Sequence, residues 1–269
     1  MTAPRDLVAY RLEPTASDPA AMIAYLTLDD PDRRNALSDS LLDELLDAVS
    51  RAAADTAVRV IVLISSHERV FSSGGNLAAF ADSRPPITKY AGLSRFPTLF
   101  RTLTSIDKPV VCAANGDVLA GALGIALACD LIIAKSSIRL GCPEISVGAF
   151  PFMISALIFR ATGRLVANDL MMTGRLISAA EAQTFGLVNE VVPDDDFDGR
   201  LREFVDGIAA RSPLLMGLGK RALAATRDMS LDAALDYLQA QLALAFTTDD
   251  LVEGVTAFKE KRTPHWRNS

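Results

Sequence analysis

The chain has 269 residues, half of them hydrophobic, with a formal net charge of -6, which supplies one large domain or a core with an appended module. Its acidic balance and lack of clustered Lys and Arg exclude nucleic-acid binding as the main task, because phosphate affinity is carried by such clusters. The longest apolar run, residues 118–129, stops at Asp130, short of the roughly 20 residues of a bilayer span, so it is expected as buried core and no membrane partner is expected.

The opening "MTAPRDLVAY" lacks the charged-then-apolar layout of a signal peptide, which makes a cytoplasmic location the expectation. Cys112, Cys129, Cys142 and two distant His fit neither a disulfide framework nor a metal spacing. No metal site is expected.

In chain order, a polar N-terminal segment leads to "MIAYLTL", which alternates as a strand does, and then to the loop "DDPDRRNALS" with Ser38 as a helix N-cap. Leu41, Leu42, Leu45, Leu46 and Val49 recur at helical spacing with Asp43, Glu44 and Asp47 between them, one face to pack and one to solvate. "VRVIVLISS" is a continuous β-branched run of the kind doubly covered parallel strands show, and it runs into "HERVFSSGGNL". Residues 81–95, with Pro85 and Pro86 adjacent, read as a mobile lid or a plain surface loop. "KPVVCAANG" repeats the order of strand then glycine, and "DLIIA" and "GLVNEVV" are two further short strands. Between these, "SAAEAQTFG" places Ser178 and Glu181 at capping-box spacing, with Gly186 as the stop. Helical patterns follow over 198–210, 213–226 and 231–246, before a basic end "FKEKRTPHWRNS". Strands alternating with helices define an α/β class.

Glycines fall just past buried strands in "SSGGN" and "LAGALG". Such turns let a ligand approach the main chain, and a helix N-terminus adds partial positive charge, so the pair can hold a phosphate or a developing oxyanion; simple turn chemistry is the competing reading.

The ordered segments "DPDRRNALS", "VRVIVL", "FSSGGNL", "KPVVCAANGDVLAGALGIALACDLIIA", "GCPEISVG", "MMTGRLISAAEAQTFGLVNEVV" and "EGVTAFKEKRTP" together resemble the enoyl-CoA hydratase/isomerase (crotonase) family over nearly the whole chain. The resemblance implies a spiral of ββα turns in residues 1–197 with the active site, a helical trimerisation region in 198–269, and a homotrimer or a hexamer made of two trimers. It implies an acyl-CoA substrate whose thioester oxygen is bound by the backbone N–H groups of Gly75 and Gly121. Coenzyme A enters only as part of the substrate, with no permanently bound cofactor.

Family hydratases resemble each other in two glutamates holding one water. The second is matched by Glu144, but Gly124 stands at the first, so two-carboxylate hydration is not expected. Ile145, Val147, Phe150 and Phe152 beside Glu144 are expected to raise its pKa by desolvation, which suits a proton shuttle. One carboxylate suffices to move a proton between the α and γ carbons, so β,γ to α,β double-bond isomerisation is favoured. Hydration by Glu144 alone is the alternative, and a non-catalytic acyl-CoA-binding member is the rival of another class.

Phe152 stands where family dienoyl-CoA isomerases and hydroxyacyl-CoA hydrolases have Asp, which disfavours both activities. With Phe150 and Gly124, it is expected either to shape the acyl pocket or to serve ordinary packing. Asn76 replaces an Asp that usually has a structural role. By the same resemblance, Arg33, Ala36, Leu37 and Ser73 meet the pantetheine and phosphates. Phe258 and Lys261 reach the adenine end, a solvated terminal helix being the other reading. Cys142 is expected as wall.

Overall fold

A computed structural model of the chain describes residues 6–75, 85, 87, 90 and 93–269. Asn76 and most of the 81–95 segment therefore lie outside the described residues.

The larger sheet has the strand order β1-β2-β3-β5-β7-β10. Its strands are β1 (Val8–Pro14), β2 (Met22–Leu28), β3 (Val58–Ser65), β5 (Val110–Ala114), β7 (Leu131–Lys135) and β10 (Glu190–Val192). β1 is antiparallel to β2, and every later pairing is parallel. Successive residues of β2 and β3 serve opposite faces. Ala24, Leu26, Ile61 and Leu63 join a core with α1 (Asp39–Ala54), while Ile23, Tyr25, Val60 and Val62 join a second core with Phe197, Leu201 and Val205 of α7 (Phe197–Ala209). Covering both faces removes the need for polar alternation, which is why β3 reads as an unbroken apolar run.

The expected helix starts are present. The Ser38 hydroxyl accepts the Leu41 amide, and Ser178 with Glu181 forms a reciprocal capping box at α6 (Ala179–Thr184), each satisfying amides that have no intrahelical acceptor.

The smaller sheet positions the candidate site. β4 (Val70–Ser72), β6 (Asp117–Leu119) and β8 (Arg139–Gly141) run parallel in that order, and β9 (Ile177–Ser178) closes the edge antiparallel to β8. Strands of two or three residues make few bonds of their own, so the turns between them carry the order. Asn35, fully buried, is the main tie. Its side-chain carbonyl accepts the Asp30 amide at 2.7 Å, and its Nδ2 donates to Ser65 Oγ at 2.8 Å and to the Phe71 carbonyl at 3.1 Å.

Among the described residues, further helices are α2 (Arg95–Ser105), α3 (Gly121–Ala128), α4 (Phe152–Ala161), α5 (Arg164–Thr173), α8 (Pro213–Thr226), α9 (Leu231–Ala245) and α10 (Asp249–Glu260). While α7 belongs to the second core, α8 is held by Lys220, whose Nζ donates to the carbonyls of Leu103 and Lys108 and to Asp130. Among the described residues no helix is long and apolar enough to cross a membrane.

Replacing Asn35 by Ala takes this partner from the Asp30 amide and the Phe71 carbonyl in a buried place, while the Ser65 hydroxyl keeps the Val70 carbonyl and the His67 amide. Asn35→Ala is expected to cost about 2–4 kcal/mol of stability, read as a lower urea midpoint at unchanged slope; an unchanged midpoint would show that the loop is held by other contacts.

Candidate active site

Three parallel strands of the smaller sheet end side by side, and each is followed by one expected functional position: Gly75 after β4, Gly121 after β6, and Glu144 after β8. The region beyond the carboxyl ends of parallel strands is the usual location of ligand sites in α/β folds.

The first amide is aimed by the peptide unit to which it belongs. The Ser72 hydroxyl accepts the Gly74 amide at 3.2 Å, and the Gly74 carbonyl accepts the Leu37 amide at 2.8 Å. A planar trans peptide sets N–H opposite C=O, so with that carbonyl turned to Leu37 the Gly75 N–H points away from it. The second amide is aimed in the same way. The Ala120 carbonyl accepts the Leu123 amide at 2.9 Å inside α3, and the Gly121 N–H therefore projects out of the helix N-terminus, where the macrodipole adds positive potential.

The two turns touch. Gly74 has φ +88°, and a Cβ placed there would overlap the Ala120 side chain and stand 2.8 Å from the Leu119 carbonyl and 3.2 Å from the Gly121 nitrogen. Ala120 itself is held at φ 54°, a conformation that costs a non-glycine residue of order 1–3 kcal/mol. Its amide donates to the Gly141 carbonyl at 2.8 Å, which ties the Gly121 turn to the strand leading into Glu144.

Glu144 lies in a 3-10 turn, Pro143–Val147, begun by proline and closed by Gly148 at φ 78°. One carboxylate oxygen, Oε2, is buried without a hydrogen-bond partner. Burial pushes the Glu144 carboxyl above the usual carboxylate range, and its own backbone amide opposes the shift. The direction matches the expectation, but the neighbours assigned to cause it do not all bury it. Ile145, Val147 and Phe152 face solvent, Phe152 being 77% exposed, and only Phe150 packs partly against the core. The Phe150 and Phe152 rings meet at a 56° tilt, with centroids 5.3 Å apart. Cys142 is buried, with its thiol pushed up to about 12 by burial and by Glu144, as suits a wall residue.

Gly124 is buried in α3, and the space where its side chain would stand is occupied. A Cβ there would overlap Ile154 Cγ2 and lie 2.7 Å from Phe100 Cζ. Hydrocarbon therefore fills this position, with no room for a side chain that could hold a water.

Arg33, Ala36 and Leu37 are brought beside Ser73 by a bond from the Ser73 amide to the Arg34 carbonyl at 3.0 Å and by the bridge between Leu37 and Gly75. The Arg33 side chain is exposed and stands 3.7 Å from Asp30. Leu37 Cδ1 lies 3.3 Å from the Cβ position of Gly121. Phe258 and Lys261 stand at the far end of α10, a helix packed on α8, with Phe258 85% exposed. Sequence reasoning missed Asn35, Ser72 and Ala120. Of these only Asn35 had a local signal, since Asn tolerates the left-handed backbone found there at φ 50°.

Main-chain donors on touching turns and a carboxylate oxygen buried without a partner are groups that can together stabilise an enolate and move its proton. The comparisons agree in class. The family described as enoyl-CoA hydratase/isomerase matches residues 18–269. The 2,3-dehydroadipyl-CoA hydratase of Escherichia coli is 32% identical over 91% of this chain and 95% of its own, and the short-chain-enoyl-CoA hydratase of Clostridium acetobutylicum is 30% identical over 89% and 92%. The crystal structure of an enoyl-CoA hydratase from Bacillus anthracis superposes with a TM-score of 0.90 at 28% identity, covering 98% of this chain and all of that one. The chain belongs to the enoyl-CoA hydratase/isomerase family, with its crotonase fold and acyl-CoA chemistry.

Gly74→Ala adds a methyl group that overlaps Ala120 at a left-handed backbone position. It is expected to cost at least about 2 kcal/mol of stability and to lower turnover on an enoyl-CoA more than tenfold by parting the two amides. Wild-type turnover in that variant would exclude this pair as the oxyanion donors.

Proposed function

We propose that the protein isomerises 3-enoyl-CoA to 2-enoyl-CoA. The ionised Glu144 takes a proton from the α carbon, the Cα–H electron pair delocalises into the thioester, and the oxygen of the resulting dienolate is held by the Gly75 and Gly121 amides. Each such donor is typically worth about 3–4 kcal/mol of barrier. Glu144 then returns the proton to the γ carbon, and the double bond settles between α and β. No proton is lost or gained overall, and coenzyme A serves only as the carrier, with Arg33, Ala36, Leu37 and Ser73 along its pantetheine and phosphates.

The observation that carries this reading is Glu144 Oε2, a carboxylate oxygen buried without a partner just after β8, combined with the hydrocarbon that fills the position of Gly124. A hydration reading, with water added by Glu144 alone, is favoured by the names of the relatives, which are hydratases.

The apolar side chains Leu231, Leu235, Leu242 and Phe246, together with Val252 and Phe258 of α10, are all exposed in the protomer, and α9 buries none of its residues. Such an extent of apolar surface marks an interface, and we propose a homotrimer or a hexamer in which Phe258 and Lys261 serve the adenine end of a bound CoA. Light scattering should give three or six times the protomer mass; a monomer would reject this assembly.

Purified protein is expected to raise conjugated-thioester absorbance with a medium-chain 3-enoyl-CoA and leave it steady with a 2-enoyl-CoA. Loss of absorbance with the second would establish hydration, and silence with both would point to a binding protein. Glu144→Gln should abolish turnover while acyl-CoA affinity stays within a few-fold. Because the base works ionised and its pKa is raised, kcat/KM should fall, as pH is lowered, at a pH above the ordinary carboxylate range. The folded state holds this proton more tightly than the unfolded chain, so ionised Glu144 costs stability above its folded pKa and Glu144→Gln should melt at or above the wild-type temperature near neutral pH.

A further inference from the structure

The turn that carries Glu144 is tied to α3 on both sides of the acid. Upstream, β8 ends at Gly141, whose carbonyl accepts the Ala120 amide at 2.8 Å. Downstream, residues 148–151 join the 3-10 turn to α4, and Ile154, in the first turn of α4, is buried against Gly124.

That second contact depends on Gly124 having no side chain. A Cβ there would overlap Ile154 Cγ2, stand 3.2 Å from Ile154 Cβ, and stand 2.7 Å from Phe100 Cζ. Cγ2 branches directly from Cβ, so it moves only if χ1 turns, and β-branched side chains on a helix have one strongly preferred χ1. Ile154 therefore cannot yield as the tip of a long side chain would. Gly124 lies three residues after Gly121 on the same face of α3, so the contact is made one helical turn from the projecting amide. Ile154 follows Glu144 by ten residues, so a change in how α4 seats at Gly124 reaches Glu144 along the segment 145–153.

We propose that Gly124 is a docking notch and that Ile154, seated in it, is a positioning residue that fixes the Glu144 carboxylate relative to the Gly121 amide. The proposal rests on Glu144 being the proton shuttle. It gives Gly124 a role of its own: the glycine brings the remaining acid to its working distance. A displacement of about 1 Å between reacting groups is enough to cost on the order of 10²-fold in rate.

The test uses the full chain carrying Gly124→Ala, Ile154→Ala, or both, with kcat and KM for a 3-enoyl-CoA measured across pH and the Glu144 carboxyl titrated by carbon-13 NMR in the free protein. The titratable neighbour to follow alongside it is Cys142, whose own shift records Glu144. Gly124→Ala is expected to lower kcat at least tenfold with KM within threefold, and to move both the acidic limb and the Glu144 titration down toward the ordinary carboxylate range. In the double variant the Gly124→Ala methyl fills the space that Ile154 Cγ2 vacates, and α4 should seat again and regain most of both. Should Gly124→Ala fail to fold, Ile154→Ala alone carries the test, with the same direction in kcat and titration expected.

A loss of kcat with an unmoved titration, a loss borne by KM, or no recovery in the double variant would overturn the proposal. A wild-type protein that does not isomerise 3-enoyl-CoA defeats the isomerase reading instead. In that case the Glu144 titration of the variants still decides the positioning role, an unmoved value overturning it.

Discussion

A peptide group cannot turn its carbonyl without turning the amide on its other side. The candidate site is built on that rigidity. The Gly74 carbonyl is held by the Leu37 amide and the Ala120 carbonyl by the Leu123 amide, and each bond aims the N–H of the following glycine. The donors are thus oriented before any substrate arrives, as electrostatic stabilisation of a developing charge requires. Upstream of the first bond stands Asn35, which fixes the loop carrying Leu37. Upstream of the second stand the short parallel strands that bring Leu119 beside Gly141.

The acid shows the opposite economy. Glu144 Oε2 is buried with no partner, an arrangement that taxes the folded state and raises the carboxyl pKa. A buried oxygen satisfied by a protein donor would be more stable and a weaker base. The strained backbone of Ala120 adds a second local cost within the same small region, while the doubly covered larger sheet and its two cores supply the stability that both draw upon.

Legibility from sequence divides along physical lines. β2 was readable from its alternation, and β3, β5 and β7 from the continuous apolar runs that doubly covered strands show. The caps at Ser38 and Ser178 were readable because capping is local. The helices after residue 197 followed their periodicity, and α10 matches the terminal helix weighed as the other reading of Phe258 and Lys261. β1 read as a polar segment because, at the sheet edge, only Val8 of its residues is buried. β4, β6, β8 and β9 are too short to show a period and exist through pairing with distant segments. Gly75, Gly121 and Glu144 entered through the family resemblance, since glycine after a strand has many uses. Ser72, Ala120 and Ile154 carried no signal at all, because each matters only for what it touches across the fold. Gly124 read from sequence as an absent acid, and only the three-dimensional packing reveals what fills its place.

Cys142 shows how the chemistry nearby can be kept from harming its own container. A 2-enoyl thioester is a Michael acceptor, and a thiolate two residues from the acid would be a ready nucleophile for it. With the thiol pushed up to about 12, only about one in 10⁵ molecules carries the thiolate at neutral pH. The burial that raises the Glu144 carboxyl also keeps its neighbour's thiol protonated, so under the proposed isomerisation one apolar environment would both strengthen the base and spare Cys142 from alkylation.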